Sequence, residues 1–162
     1  MNELTEHQRF AKNIVGYADM VLRIAYQNLK NKTDAEDITQ EVFIRLVQTN
    51  AFENEEHIKA WLIRVTINLC KDFRKTAWFR KRTSLTTTDW LPFSEEQQGL
   101  LEELWQLPSK DRNIIYLYYY EGYSVPEIAR ILHKNENTLS SQLSRAKKKL
   151  KCLLVEGGCE HA

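Results

Sequence analysis

The chain has 162 residues, 43% of them hydrophobic and 28% charged, and a formal charge of +1. That balance supports a buried core and excludes a disordered tail. No charge-free stretch approaches the roughly 20 residues of a membrane span. Only 5 Gly and 3 Pro occur, among many Leu, Glu, Lys and Gln, which points to an all-α chain and away from a sandwich or barrel. The opening MNELTEHQRF lacks the basic start and apolar stretch of a signal peptide. Cys70, Cys152 and Cys159 are odd in number and at no metal-ligand spacing, so reduced cysteines and a cytoplasmic setting are expected.

Taken in chain order, Thr5-x-x-Gln8 reads as a capping box. The helix it opens is carried by Phe10, Ile14, Val21, Ile24, Ala25 and Leu29, with Gly16 as a possible break. Asn31-Lys32 reads as a turn and Thr33-x-x-Glu36 as a second capping box. In the next helix Ala35, Ile38, Val42 and Leu46 form the buried stripe, while Asp37, Gln40, Glu41 and Arg45 fall on another face. After the loop 49–54, Asn54 is a plausible N-cap for a helix over about 55–78. Its apolar stripe is Ile58, Leu62, Val65 and Leu69, and Arg64, Asn68, Lys71 and Lys75 line a separate face.

From Thr83 the helical period fails. Residues 83–93, TSLTTTDWLPF, read as a flexible linker. Ser94-x-x-Gln97 caps a short helix that Pro108 ends, and a further helix over about 109–120 stops at Gly122. Ser124-x-x-Glu127 opens a helix to about His133, with Ile128, Ile131 and Leu132 buried. The last helix, about 136–155, buries Leu139, Leu143, Ala146, Leu150 and Leu153 and turns Ser141, Ser144, Arg145 and Lys148 outward. Residues 157–162 read as a frayed tail.

The net charge hides a segregated pattern. Residues 34–56 hold seven acids and one base, and residues 59–82 eight bases and one acid. Residues 83–109 hold five acids and no base, and residues 145–151 five bases and no acid. Each run alone could be a solvated face. Two basic blocks on two helices point instead to a polyanionic partner. The helices 124–133 and 136–155 have the spacing of a helix-turn-helix, whose second helix carries small polar residues followed by Arg and Lys, as entry into a major groove requires. The hydrophobic pattern alone does not separate this from an ordinary helical hairpin. The first basic block interleaves Trp61, Phe73, Trp78 and Phe79. Aromatics beside cations suit unpaired bases, although Phe73 fits a core position better and Trp61 fits either role. Four scattered His, no Gly-rich phosphate loop and no HExxH give an enzyme reading little support. Cys152, Cys159 and His161 match no common metal site.

The motifs DAEDITQEVFIRL (34–46), KAWLIRVTINLCKDFRK (59–75), LPSKDRNIIYLYYYEGYSVPEIARIL (107–132) and NTLSSQLSRAKKKL (137–150), in this order, resemble the extracytoplasmic-function (ECF) type of bacterial RNA polymerase sigma factor. The resemblance implies two small helical domains. Residues 1–82 would be the region 2-like domain, 83–93 the linker, and 94–156 a region 4-like helix-turn-helix domain. It also implies promoter-specific initiation without catalysis and with no cofactor or metal. Core RNA polymerase would be met through its β′ clamp helices and β flap, and an anti-sigma factor would be the regulator. Asp37, Gln40, Glu41 and Arg45 match the polymerase-docking positions. Asn50, Phe52, Asn54, Trp61, Arg64, Asn68, Lys71, Arg74 and Lys75 match the part that opens and holds the −10 element. Ser140, Ser141, Ser144, Arg145 and Lys148 match the positions that read the −35 element.

One departure stands out. Where the family commonly has cations, this chain has Ser140 and Gln142. The loss of two phosphate contacts is expected to flatten the salt dependence of binding by about two contact units, with the run Lys147–Lys149 as a partial offset. Two other readings fit the charge pattern. One is a duplex-binding regulator whose N-terminal half dimerises or senses, and the other is an adaptor for acidic proteins.

Overall fold

A computed structural model describes residues 6–49, 52, 54–76, 94 and 102–156, and every regular element among them is helical. The chain divides into two compact units, Met1–Pro92 and Phe93–Ala162. The expected linker 83–93 and tail 157–162 lie outside the described residues, as does the helix expected from Ser94 apart from a helical turn at 102–104.

The first unit packs three helices: α1 (Glu6–Leu29), α2 (Lys32–Gln48) and α3 (Glu55–Arg74). α1 runs unbroken through Gly16 because a mid-helix glycine costs only about 1 kcal/mol, less than the burial of Tyr17, Met20, Val21, Ile24 and Ala25 returns. Its end is closed by Lys30, which takes a left-handed φ of 58° and donates its N–H to the Tyr26 carbonyl at 2.8 Å. That turn leaves Asn31 extended, so Asn31 rather than Thr33 caps α2, its Oδ1 accepting from the Asp34 N–H at 2.9 Å. α2 buries Ala35, Ile38, Val42 and Leu46, the stripe its spacing predicts.

Asn54 caps α3, its Oδ1 accepting from the His57 N–H at 2.9 Å. The helix ends at Arg74, short of the expected 78. Its buried line is Leu62, Ile63, Thr66 and Cys70, with Ile58, Val65 and Leu69 only half-buried. The shift follows from Thr66. Its hydroxyl donates back to the Leu62 carbonyl at 2.6 Å, so a residue that reads as polar enters the core with its donor satisfied. Two side-chain bonds fix α3 against α1. The Tyr17 hydroxyl donates to Glu55 Oε1 at 3.0 Å, and Arg74 Nη1 donates to Asn28 Oδ1 at 2.8 Å.

The second unit holds α4 (Ser109–Ile115), α5 (Val125–Leu132) and α6 (Glu136–Glu156). The helix expected over 109–120 widens after Ile115 into a π turn, Tyr116–Tyr120, closed by the Glu121 N–H on the Tyr116 carbonyl at 3.2 Å. Gly122, at φ 75°, reverses the chain. Arg112 is buried and donates from Nη1 to the Leu107 carbonyl at 2.8 Å, holding the preceding turn. Ile114, Leu117, Ile128, Leu139 and Ala146 meet in the core. Leu132, Leu150 and Leu153, expected to be buried, are half-exposed because they lie at the margins of this small core. No helix among the described residues is long and apolar enough to cross a membrane.

Of the three cysteines, Cys159 lies outside the described residues. Cys70 is a free thiol in the core, and burial pushes its pKa from 9.0 up to about 12, with the Arg74 charge opposing. The folded value exceeds the ordinary one. The neutral thiol's contribution to stability is therefore complete below pH 9.0 and is lost as the pH rises toward 12. In the native chain at pH 8, Cys70 is expected to resist alkylation for hours and to react at once in urea. Mass mapping of the labelled cysteines checks this.

Candidate nucleic-acid interface

α3 presents Trp61, Arg64, Asn68, Lys71 and Lys75 at steps of three and four, so one stripe runs about 21 Å along the helix. Asn68, Lys71 and Lys75 are exposed, and Trp61 and Arg64 half-exposed. At the stripe's N-terminal end the Phe52 ring meets Trp61 edge-on, with centroids 5.6 Å apart, and His57 likewise at 5.5 Å. The edge-on geometry is a favourable aromatic arrangement. It holds a loop residue over the start of a cationic ridge. His57 escaped the sequence reading because a lone histidine in an acidic turn carries no pattern.

Two of the residues matched to this role are occupied elsewhere. Asn54 spends its side-chain oxygen on the α3 cap. Arg74 turns inward to Asn28, and burial pulls its pKa down. The reason is register: Arg74 lies one position from the Lys71–Lys75 line, on the side that faces α1. Asn50 falls outside the described residues.

On α2, Asp37, Gln40 and Arg45 are exposed and Glu41 partly so, with the Arg45 Nε–Glu41 Oε1 pair at 3.1 Å. Ile44 and Val47, 54% and 69% exposed, lie beside them and make the face amphipathic. The sequence reading missed both because two apolar residues off the main stripe look like noise.

In the second unit, Ser124 and Glu127 complete a capping box at α5. These hydrogen bonds pull the Glu127 carboxyl below its usual pKa of 4.5, so their contribution fades as the pH falls through the acid range. His133 takes a left-handed φ of 53° and the Lys134 N–H reaches the Ala129 carbonyl at 2.9 Å, forming the turn into α6. On α6, Ser140, Ser141, Ser144, Arg145 and Lys148 are all exposed. Gln142 is not on that face: its Nε2 donates to Asp111 Oδ1 at 3.3 Å and its Oε1 accepts from Lys134 Nζ at 3.4 Å. Lys147 sits over the Tyr118 ring at 4.4 Å, and Lys149 Nζ lies 3.5 Å from Asp111 Oδ2. Of the run Lys147–Lys149, only Lys148 is fully exposed, so the expected offset is smaller than the sequence count implies.

The Sigma-70 region 2 family model matches residues 14–80, and Sigma-70, region 4 matches residues 97–150. The RNA polymerase sigma factor SigV of Bacillus subtilis is 30% identical over 139 residues, covering 83% of this chain and 84% of SigV. The chain belongs to the ECF sigma factors. The ECF sigma factor BldN of Streptomyces coelicolor is 28% identical over 93% of this chain, which spans 62% of BldN's length. A solved structure of the sigma factor RpoE with the anti-sigma factor NepR from Bartonella quintana shares the fold. Its TM-score is 0.69 at 22% identity, over 90% of this chain and 96% of that one.

Two of the cations on this sigma factor's third helix, Lys71 and Arg74, are expected to separate in a stability assay. Arg74→Ala removes a charged hydrogen bond to buried Asn28 and should cost about 1.5–3 kcal/mol. Lys71→Ala, at an exposed site, should stay within about 0.5 kcal/mol of wild type. Urea midpoints followed by circular dichroism test both.

Proposed function

We propose that this chain docks on core RNA polymerase through α2 and directs initiation at promoters whose −10 element is held by α3 and whose −35 element is read by α6. The carrying observation is the exposed ridge Trp61, Arg64, Asn68, Lys71 and Lys75, headed by the Phe52–Trp61 contact. A ridge of that length tracks a single-stranded backbone, and aromatic faces at its end stack an unpaired base whatever its sequence. Strand opening then needs no hydrolysis, because captured bases offset the cost of unstacking.

On α2, the exposed Ile44 and Val47 supply an apolar centre, with Asp37, Gln40, Glu41 and Arg45 as its polar surround, the anatomy of a protein interface. On α6, short Ser140, Ser141 and Ser144 admit the helix to a major groove, where Arg145 and Lys148 reach base edges or phosphates. Two such contacts within one chain reinforce each other when polymerase holds both. An anti-sigma factor that covers the polymerase-facing surfaces would silence the chain. The RpoE relative was solved in complex with one.

Run-off transcription on DNA of the source genome tests the reading. Core polymerase alone should give no defined starts, and adding the chain should give a reproducible set. Glu41→Lys reverses a charge on the α2 face and should abolish core binding in a pull-down while leaving the circular dichroism spectrum unchanged. Undiminished competition by this variant for core polymerase would remove α2 as the docking face. A palindromic duplex shifted by the chain alone, with no starts on adding core, would favour the duplex-binding regulator.

A further inference from the structure

Asp111 is only 8% exposed, yet both of its carboxylate oxygens are used across the unit. Oδ1 accepts from Gln142 Nε2 at 3.3 Å, and Oδ2 faces Lys149 Nζ at 3.5 Å. Gln142 and Lys149 are seven residues apart on α6, so they share nearly one azimuth about 10.5 Å apart along its axis. One carboxylate thus grips the helix at two points two turns apart. Gln142 passes the restraint on, since its other amide atom accepts from Lys134 Nζ at 3.4 Å in the turn that precedes α6.

The grip lies on one flank of α6. The opposite flank carries Lys147 over Tyr118 and Tyr119, at 4.4 and 5.5 Å. Buried Leu139, Leu143 and Ala146 run between the two flanks. What is left to solvent is the Ser141, Ser144, Arg145, Lys148 face. Apolar contacts alone tolerate small rotations of a helix about its axis. A two-point polar grip does not, because rotation breaks both bonds and leaves a nearly buried carboxylate unpaired.

We propose that Asp111 is a positioning residue that sets the rotation of α6 through Gln142 and Lys149, and so determines which side chains the sigma factor turns to its upstream promoter element. This rests on the proposed reading of α6. It also gives the Gln142 position a role that the loss of a phosphate contact does not describe. A side chain there faces Asp111, and Gln meets it by a hydrogen bond where a cation would meet it by charge.

The test uses the full chain with core polymerase on one promoter mapped in the run-off assay, its upstream element either intact or scrambled. The readout is the ratio of transcript from the two templates. Wild type should favour the intact template strongly. Asp111→Ala should lower the ratio by about tenfold, the scale of one misplaced base contact, with scrambled-template transcript unchanged. Gln142→Arg, which exchanges the hydrogen-bonding partner of Asp111 for a charged one, should keep the wild-type ratio. Asp111→Asn keeps the shape and the Gln142 contact and should fall between, which keeps the test decisive if the alanine variant folds poorly. Adding Gln142→Ala to Asp111→Ala should lower the ratio little further, since both remove the same grip. An unchanged ratio in Asp111→Ala, or an equal fall on both templates in Asp111→Asn, overturns the proposal. If wild type gives starts but ignores the upstream element, the reading of α6 fails and takes this proposal with it.

Discussion

A helix that reads a groove presents only one face to it, so its setting about its own axis matters as much as its sequence. In this sigma factor that setting is built from polar side chains at the flanks of each exposed face. α6 is gripped by Asp111 on one side and rests Lys147 on tyrosine rings on the other. α3 is held to α1 near its start through Tyr17–Glu55 and at its end through Asn28–Arg74. In each unit the apolar core supplies most of the driving force, and these bonds select one orientation among the many that the core would tolerate.

The same bonds change how the charge should be counted. A basic block in a sequence is not a count of phosphate contacts, because cations that hold the fold release no counterions on binding. Arg74, Lys147 and Lys149 all belong to the two basic blocks and all are engaged within the protein. Among the described residues of the two blocks, those fully exposed to a polyanion are Lys71 and Lys75 at the end of α3 and Arg145, Lys148 and Lys151 on α6. Gln142 faces Asp111, which on the proposed reading of α6 leaves the cation absent at Ser140 as the missing phosphate contact. On that reading the change in salt slope expected from the departures is about one unit.

The parts of the molecule that were legible in the sequence are those governed by local rules. The capping box at Ser124, the Asn54 cap, the α2 stripe and the exposed face of α6 each follow from spacing within one helix. What the sequence concealed depends on partners far along the chain. Arg74 matches the −10 element only through the family resemblance, and Asn28, 46 residues earlier, draws it inward. Thr66 replaced Val65 in the buried line because its hydroxyl found a carbonyl four residues back, which a hydropathy pattern scores as polar. Asn31 displaced Thr33 as the cap of α2 because the left-handed turn at Lys30 fixed where the helix starts, and φ at a lysine is not written in its residue type.

The π turn at Tyr116–Tyr120 shows how such long-range demands reach back into local geometry. An α-helical continuation of α4 would keep 3.6 residues per turn, whereas the wider turn absorbs an extra residue and rotates the side chains beyond it by about 100°. With that rotation, Tyr116 remains in the core and bonds Glu121 at 2.7 Å, while Tyr118 and Tyr119 come under Lys147 of α6. The segment thus serves the core through one tyrosine and the flank of α6 through two others. A regular helix has difficulty doing both over so short a stretch. The irregularity is local, and its consequence is felt on α6, the helix proposed to read promoter DNA.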